Sequence, residues 1–362
     1  MGRHFLIGLR PTPDLHPDDR KLLSELQPAG IAVFRKNFDH GSTYEHWHAR
    51  FTALVEAVRE AIGRKEILVC IDHEGGTVMR APAPITPFAF ARSWAGCAGN
   101  VGRAMGVELA SLGINVSFAP VLDIDSNPKN PVIGPRSFAS SAEEVEAAGR
   151  AFILGLQENG VLACPKHFPG HGDTHADSHH GLPVLDADVE MLESRELKPF
   201  AAIIRDGISL IMTAHILFPK IDPVYPATLS PHIVKAVLRD RLQYRGVVVT
   251  DDIGMHAVSG LFDHPAACAQ AVSSGTDLLL LHCHWTDTNR AYKMVADMER
   301  ALDSGLLKSD VLEASDRRID SLLAQLPVNT PYLLDREVFA AHAALAPLSE
   351  RKEVAGGWVS LK

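Results

Sequence analysis

Two aspartates, Asp251 and Asp252, come directly after the apolar run 247–250. A carboxylate at the end of a buried strand loses hydration unless a cation or a hydrogen-bond donor compensates. Such a group is suited to attack an electrophilic carbon, for instance the anomeric carbon of a sugar. Aspartate is also a common N-cap of a following helix, and this alternative stays open. The two neighbouring residues could divide the two roles.

Histidines and aspartates are concentrated in residues 166–180, which contain five histidines and two aspartates. Asp177 and His179 are two residues apart, so on a bent loop the carboxylate can bind one imidazole nitrogen while the other nitrogen faces a substrate. A histidine held in this way can act as a general acid and then as a general base near neutral pH. The pattern therefore predicts an acid/base pair on this loop.

A zinc site and a solvated loop are the other interpretations of residues 166–180. Imidazole and carboxylate both bind zinc. However, the sequence contains no HExxH motif, and Lys166 beside His167 would place a positive charge near the ion. We therefore expect no metal at this loop.

A third polar segment, residues 71–80, begins with Asp72, contains the pair Gly75 and Gly76, and ends with Arg80. The carboxylate can accept hydrogen bonds from two sugar hydroxyls, and the glycines allow backbone to approach a ligand closely. Arg80 can donate in return. The alternative interpretation is a tight turn closed by a surface ion pair.

Short apolar runs, most of them continuous rather than alternating, predict parallel strands that are buried on both faces. The eight runs are 5–9, 31–34, 67–71, 115–119, 161–164, 208–213, 247–250 and 277–281. Amphipathic helical patterns lie between most of them. One of these is 42–64, in which Ser42 and Glu45 have the spacing of a capping box.

Eight such β-α units favour an α/β fold of the single (β/α)8 (TIM) barrel type over a Rossmann sheet, because the count matches and no GxGxxG turn follows the first strand. The polar residues after the strands would then gather at one mouth of the barrel. Residues 1–327 are expected to form this catalytic domain. Residues 328–362 do not continue the repeat and are expected to form a tail with one short helix near 335–345.

Charge, cysteine usage and the amino terminus narrow the class of protein. The 44 acidic and 35 basic residues give a net charge of −9, and no dense run of Lys and Arg would follow a phosphate backbone. The five scattered cysteines suggest neither a disulfide framework nor a sulfur-rich zinc site. The apolar run 5–9 is too short for a secretory signal or a membrane span. We expect a soluble cytoplasmic protein with no nucleic-acid, membrane or obligatory protein partner.

Three segments resemble the signatures of the NagZ branch of glycoside hydrolase family 3. They are Ile-Asp-His-Glu-Gly-Gly at 71–76, Lys-His-Phe-Pro-Gly-His-Gly at 166–172 with Asp-Ser-His at 177–179, and Thr-Asp-Asp-Ile-Gly-Met at 250–255. Supporting segments are 131–138, 212–215 and 226–230, so the resemblance extends over most of the chain.

The resemblance implies that Asp251 is the nucleophile and that His179, partnered by Asp177, is the acid/base. It also implies a set of residues that hold N-acetylglucosamine at the site of cleavage, namely Asp72, Arg80, Arg136, Lys166 and His167. The implied activity is hydrolysis of β-N-acetylglucosaminides with retention of configuration and with no cofactor. The implied cellular task is removal of N-acetylglucosamine from anhydro-muropeptides during cytoplasmic peptidoglycan recycling.

The chain departs from the family pattern near the third strand. His73 and Thr77 stand where Gln and Arg are common, so the electrostatics near that turn are expected to differ. Thr250 replaces a frequent Ser, which is a mild change.

Several other functions remain as alternatives to hydrolysis of N-acetylglucosaminides. A family 3 β-glucosidase or β-xylosidase would generally take its acid from elsewhere, so the pair Asp177 and His179 argues against it. A zinc hydrolase would lose activity with chelators, and a sugar-binding protein without catalysis would bind ligand without turnover. A β-N-acetylglucosaminide phosphorylase is the remaining alternative.

A histidine acid/base predicts that phosphate competes with water. In the second step of a double displacement His179 is neutral, and a neutral imidazole repels an incoming anion less than the usual carboxylate does. We expect sugar 1-phosphate to form in phosphate buffer beside the free sugar, as measured by mass spectrometry. Complete absence of sugar 1-phosphate would contradict this expectation.

Overall fold

A computed structural model of the chain describes residues 1–175, 181–282, 284–287, 289–327, 329–349, 351–354 and 357–360. Parallel strands form its centre: β1 (Phe5–Gly8), β2 (Gly30–Val33), β3 (Leu68–Ile71), β6 (Val116–Ser117), β7 (Leu162–Ala163), β8 (Leu210–Thr213), β9 (Val247–Thr250) and β10 (Leu279–Leu281). Two antiparallel hairpins complete the set, β4 (His73–Gly75) with β5 (Val78–Met79) and β11 (Arg351–Val354) with β12 (Gly357–Ser360). All eight apolar runs predicted from the sequence contain a strand.

Six strands form one parallel sheet in the order β10-β1-β2-β3-β6-β7, and β8 pairs in parallel with β9. Single parallel bridges link this pair to its neighbours. Phe168, in the segment after β7, pairs with Thr213 of β8, and Val249 of β9 pairs with Leu278 just before β10. The pair of β8 and β9 is therefore linked to both edges of the larger sheet, next to β7 on one side and next to β10 on the other.

Alternate residues of the strands belong to two different apolar cores. Phe5 and Ile7 of β1 pack in the cluster that also contains the helical side chains. Leu6, between them, belongs to a second cluster, called the interior cluster below. Each of the eight central strands, or a residue directly flanking it, contributes to this cluster. Side chains that alternate across a strand explain this division. The continuous apolar runs of the sequence follow from burial on both faces.

Most helices pack on the first core. The helices are α1 (Pro17–Leu26), α2 (Tyr44–Ile62), α3 (Ala98–Ser111), α4 (Ala142–Gln157), α5 (Val189–Ser194), α6 (Leu197–Arg205), α7 (Ser259–Phe262), α8 (Ala267–Ser273), α9 (Arg290–Asp303), α10 (Ser309–Ala324) and α11 (Arg336–Ala343), with a π-helical segment, Pro231–Arg241, between β8 and β9. Helix α10 contributes Ile319, Leu322 and Leu323 to the second core. Among the residues described, no helix is long and apolar enough to cross a membrane.

Helix termini differ in places from the sequence prediction. The prediction of a capping box at Ser42 is wrong, because the N-cap of α2 is Thr43 and its side chain makes no capping hydrogen bond. Residues 188–206, whose apolar spacing predicts one helix, form two, because Arg195 leaves the helical conformation between α5 and α6. Ser141 caps α4, where its hydroxyl accepts a hydrogen bond from the backbone N–H of Glu144.

Residues 329–349 of the tail pack against the rest of the chain. Phe339 of α11 is 6% exposed and meets Tyr44 edge to face, with ring centroids 5.5 Å apart. His342 Nδ1 lies 2.7 Å from an oxygen of Glu108, a fully buried carboxylate on α3. The expected short helix is present as α11. The division into a domain 1–327 and a tail 328–362 stays a prediction.

Replacing His342 tests the contribution of this contact to stability. In His342→Ala the Glu108 carboxylate keeps its hydrogen bonds from the Thr86 amide and hydroxyl, at 2.7 and 2.5 Å, but loses its imidazole partner. A buried charge with an unsatisfied site is costly, so we expect the free energy of unfolding to fall by about 1–3 kcal/mol. Urea unfolding measures it, with the exposed-site variant Arg336→Ala as a control. Equal stability of the two variants would contradict a role for the contact.

Candidate functional site

A cluster of four charged side chains, with Arg80 at its edge, lies at the carboxyl ends of the strands; its members are Asp72, Glu74, Arg136 and Lys166. Lys166, which follows β7 and is 3% exposed, places Nζ 2.8 Å from Asp72 Oδ1 and 2.6 Å from Glu74 Oε1. Arg136 binds both oxygens of Glu74, at 2.8 and 2.9 Å. Arg80 is more loosely attached, with Nη2 3.4 Å from Asp72 Oδ2. Each buried charge therefore has a partner of opposite sign.

The pKa values of the cluster keep its members ionised at neutral pH. Burial alone would raise the pKa of Asp72, but the charges of Lys166 and Arg80 hold it well below its usual range. Burial likewise opposes ionisation of Glu74, and Arg136 with Lys166 lowers its pKa to about 2. The pKa of Lys166 is raised by the two carboxylates despite burial. Fixed, charged donors and acceptors of this kind suit a ligand with several hydroxyl groups.

A tight hairpin positions the two carboxylates of the cluster. Asp72 directly follows β3, and Glu74 lies in β4, two residues later. Gly75 and Gly76 both have positive φ, 101° and 59°, and a Cβ on Gly76 would lie 2.2 Å from the ring of Phe90. Only glycine fits this turn beneath the loop that follows. The tight turn of the alternative interpretation is present, and the ion pair that closes it, between Arg80 and Asp72, is partly buried, with 30% and 20% of the two side chains exposed.

The two departures from the family pattern occupy different surroundings on this hairpin. His73 is fully buried within it, whereas Thr77 is exposed at its tip. The departure at His73 therefore affects the electrostatics of the protein interior. The departure at Thr77 affects the electrostatics of the solvent-exposed surface.

Asp123 is a buried carboxylate that holds the segment after β7. Its oxygens accept hydrogen bonds from the backbone N–H groups of His167, at 3.2 and 3.3 Å, and of His171, at 2.7 Å. His167 Nδ1 lies 2.6 Å from Asp123 Oδ2, which fixes the orientation of the imidazole. Burial, reinforced by the charge of His167, lowers the pKa of His171 to about 4. His171 is therefore neutral at physiological pH.

Asp251 directly follows β9, and Lys166, His167 and His215 act on it electrostatically. Burial would raise its pKa, but the charges of His167, His215 and Lys166 hold it below its usual value. His215 is 1% exposed, and its Nδ1 lies 2.7 Å from Thr228 Oγ1. Asp251 Oδ1 accepts a hydrogen bond from the backbone N–H of Asp252 at 2.8 Å. An ionised, oriented carboxylate of this kind is a suitable nucleophile.

Asp252 has different surroundings from its neighbour. Its Oδ1 accepts hydrogen bonds from the backbone N–H groups of Gly254 and His282, both at 2.9 Å. Burial, which these hydrogen bonds only partly offset, raises the pKa of Asp252 to about 6. Asp252 therefore organises the backbone around the strand end. The N-cap alternative is wrong for this pair, because the next helix, α7, begins at Ser259 and has Val258 as its N-cap.

The structure brings six of the eight residues selected from the sequence into the described site. Asp72, Arg136 and Lys166 share one ion-pair cluster, and Arg80 lies at its edge. His167 and Lys166 act electrostatically on Asp251, so the cluster is coupled to the carboxylate at the end of β9. Asp177 and His179 lie outside the described residues. Within those residues, no group of three or more His, Cys, Asp or Glu side chains could hold a metal ion.

Sequence reasoning did not select Glu74 or Asp123 for the site. Glu74 is two residues from Asp72 in an extended segment, and this spacing places both carboxylates on one face. Asp123 also follows an apolar run, 118–122, and this signal could have revealed it.

The family model for the glycosyl hydrolase family 3 N terminal domain matches residues 10–322. The chain belongs to glycosyl hydrolase family 3. It is thus a glycoside hydrolase by family, with β-hexosaminidases among its relatives. Beta-hexosaminidase A of Pseudoalteromonas piscicida is 35% identical over 343 residues, which are 88% of this chain and 57% of that protein. The chain thus spans little more than half the length of this relative.

Two solved structures show the same family relationship. A glycoside hydrolase family 3 beta-N-acetylglucosaminidase from a Paenibacillus species has a TM-score of 0.85 and 34% identity, with 95% of this family 3 chain and 67% of that chain covered. NagZ from Neisseria gonorrhoeae, in complex with N-trifluoroacetyl-D-glucosamine, has a TM-score of 0.70 and 26% identity. The match covers 89% of this chain and 98% of that chain.

The raised pKa of Asp252 predicts that its ionisation destabilises the fold. The native state keeps this proton up to about pH 6, whereas an unfolded chain releases it near about pH 4. Between these values the native state binds more protons, so its contribution to stability falls as the pH rises. Asp252→Asn can accept the same two hydrogen bonds but cannot ionise.

We therefore expect Asp252→Asn to gain about 1–3 kcal/mol in unfolding free energy relative to the parent between about pH 4 and pH 7. Urea unfolding at a series of pH values measures this difference. Asp240→Asn, at an exposed position of the segment Pro231–Arg241, is the matched control. A difference from the parent that is independent of pH would contradict the prediction.

Proposed function

We propose that this chain is a retaining exo-β-N-acetylglucosaminidase that acts through a covalent glycosyl intermediate on Asp251. The observation that carries the proposal is the position of Asp251 at the end of β9, where His167, His215 and Lys166 favour its ionised form. A retaining hydrolase needs an ionised carboxylate to attack the anomeric carbon. Similarity to the Paenibacillus enzyme and to NagZ supports N-acetylglucosamine as the sugar.

A closed (β/α)8 barrel is the architecture we propose for this site. Three observations support closure: the parallel order of the six-stranded sheet, the bridges that link β8 and β9 to their neighbours, and the interior cluster shared by all eight strands. The family relationship supports it as well. In such a barrel the ends of β3, β7 and β9 face one mouth.

The charged cluster is the proposed binding site for the terminal sugar. Asp72 and Lys166 offer an acceptor and a donor beside each other, at 2.8 Å, and can exchange this contact for bonds to adjacent hydroxyls. Arg136 and His167 are held by Glu74 and Asp123, so their donors stay oriented before substrate arrives. Arg80 completes the proposed set. Several oriented polar groups explain selection for a sugar with free hydroxyls at its non-reducing end.

His179, partnered by Asp177, is the proposed acid/base. In the first step Asp251 attacks the anomeric carbon while the imidazolium of His179 gives its proton to the departing oxygen. In the second step the neutral imidazole takes a proton from water, which attacks the same carbon and releases Asp251. Two inversions at one carbon give net retention. The support for this assignment is the match of residues 166–179 to the family pattern.

The proposed natural substrates are β-linked N-acetylglucosaminides such as those joined to 1,6-anhydro-N-acetylmuramic acid or its peptides. The proposed setting is peptidoglycan recycling in the cytoplasm. Similarity to NagZ is the support for this assignment.

Trapping the intermediate tests the assignment of Asp251. A slow, fluorinated N-acetylglucosaminyl substrate should leave one covalent sugar on the peptide that contains Asp251, and tandem mass spectrometry identifies the modified residue. Asp251→Asn should lower kcat/KM by about 10⁴-fold or more, as removal of a nucleophile does. The exposed-site control Asp240→Asn should keep parental activity. A sugar attached to Asp252, or turnover by Asp251→Asn at the parental rate, would contradict the proposal.

A further inference from the structure

Three aromatic side chains lie together at the carboxyl ends of β2 and β10. Phe34 directly follows β2, His282 directly follows β10, and Trp285 lies in the short 3-10 turn His284–Thr286. The rings of Phe34 and His282 are stacked, with centroids 3.7 Å apart and an interplanar angle of 27°. The ring of Trp285 meets His282 edge to face at 4.8 Å. These residues are called the aromatic platform below.

The backbone beneath the aromatic platform leaves room for this stacking. A Cβ on Gly8, at the end of β1, would lie 2.7 Å from a ring carbon of His282 and 3.0 Å from one of Phe34. Real Cβ atoms do not approach other atoms as closely as the first of these distances. Glycine at this position therefore allows both rings to lie over the end of β1.

The aromatic platform is directly connected to the site of chemistry. The backbone N–H of His282 donates to Asp252 Oδ1 at 2.9 Å, and the N–H of Asp252 donates to Asp251 Oδ1 at 2.8 Å. His282 Nδ1 also lies 3.9 Å from Asp252 Oδ2. Only two hydrogen bonds thus separate the platform from the proposed nucleophile.

The aromatic platform and the charged cluster follow different strands. β9, which Asp251 directly follows, pairs with β8 on one side and is bridged to β10 on the other. The side of β8 continues to the end of β7, where Lys166 lies. The side of β10 continues to β1 and β2, where the platform lies, and then to β3, where Asp72 and Glu74 of the cluster follow. The platform and the cluster thus occupy adjoining groups of strand ends, and β9 is linked to both groups. A glycosidic bond attacked by Asp251 has its terminal sugar on one side and its leaving group on the other.

Partial exposure of these rings distinguishes them from the core aromatics. Many phenylalanines of the chain, such as Phe51 and Phe88, are at most 1% exposed. Phe34 packs against the interior cluster but is only partly buried, and 23% of the side chain of His282 is exposed. Trp285 is also only partly buried. Exposed aromatic surface beside a functional site is a feature of ligand contacts.

We propose that the aromatic platform binds the pyranose ring of the leaving group and so selects substrates whose leaving group is a sugar. A β-linked pyranose with equatorial substituents presents axial C–H groups on its faces, and these pack on aromatic rings. The charged cluster takes the hydroxyl-rich terminal sugar, whereas the platform takes the less polar ring face of the next sugar. This inference rests on the proposed function, because it assigns the second half of the same substrate.

Trp285→Ala tests the aromatic platform with two substrates that share the terminal sugar. One is the β-1,4-linked disaccharide of N-acetylglucosamine, and the other is N-acetylglucosaminyl fluoride, whose leaving group is a single atom. We expect kcat/KM for the disaccharide to fall about 10-fold, whereas kcat/KM for the fluoride stays within about 2-fold of the parent. Trp285→Phe should recover part of the activity on the disaccharide. Tyr332→Ala, at a 48% exposed aromatic residue of the tail, is the matched control and should change neither value.

Each outcome of this comparison is decisive. A selective loss on the disaccharide with recovery by Trp285→Phe supports the aromatic platform as a leaving-group site. An equal loss on both substrates overturns the proposal, because Trp285 would then act through the position of Asp251. Unchanged activity on both also overturns it. Failure of the parent protein to turn over either substrate would instead contradict the proposed function, and this result is distinguishable from the others.

Discussion

The shared ion pair of Lys166 with Asp72 and Glu74 is the interaction on which the rest of the site depends. An ammonium group that is 3% exposed is costly to bury unless carboxylates surround it. Here two carboxylates and two cations, Lys166 and Arg136, balance within one cluster. Loss of Glu74 would leave Arg136 without its carboxylate partner, and loss of Lys166 would leave Asp72 only the longer contact to Arg80. The same charges reach Asp251, so the cluster that would hold the sugar also favours the ionised nucleophile.

Adjacent aspartates at the end of β9 illustrate how surroundings divide two chemically identical groups. Both are partly buried, and burial acts to raise the pKa of each. At Asp251 the electrostatic influence of His167, His215 and Lys166 reverses this effect, whereas Asp252 accepts hydrogen bonds mainly from backbone N–H groups and its pKa rises to about 6. Asp251 thus stays ionised, as the proposed nucleophile requires, and Asp252 orders the loop through the backbone of Gly254 and His282. The nucleophile stays a proposal, whereas neither aspartate is an N-cap, because the next helix, α7, has Val258 at that position.

Sequence patterns predicted the strands well because burial on both faces leaves a strong local signal. The runs 31–34 and 247–250 each form a strand within one residue of the expected bounds. Pairing between distant residues leaves no such signal. Glu74 and Arg136 are 62 residues apart, and Asp123 and His167 are 44 apart, so neither contact follows from spacing. The cap of α2 was placed one residue early because Ser42 and Thr43 are both good N-cap residues.

The tail also supports the charged cluster, through backbone hydrogen bonds that lie away from the strand ends. Ala89 donates its backbone N–H to Pro347, and Ser349 donates to Pro87, so the tail holds the loop 86–90 from one side. The same loop accepts the backbone N–H of Gly76 at Phe88. Because Gly76 closes the hairpin that carries Glu74, two backbone hydrogen bonds from the tail to the loop and one from Gly76 to the loop connect the tail to the charged cluster. Residues 347–349 therefore act as part of the scaffold of the site rather than as an appendage to it.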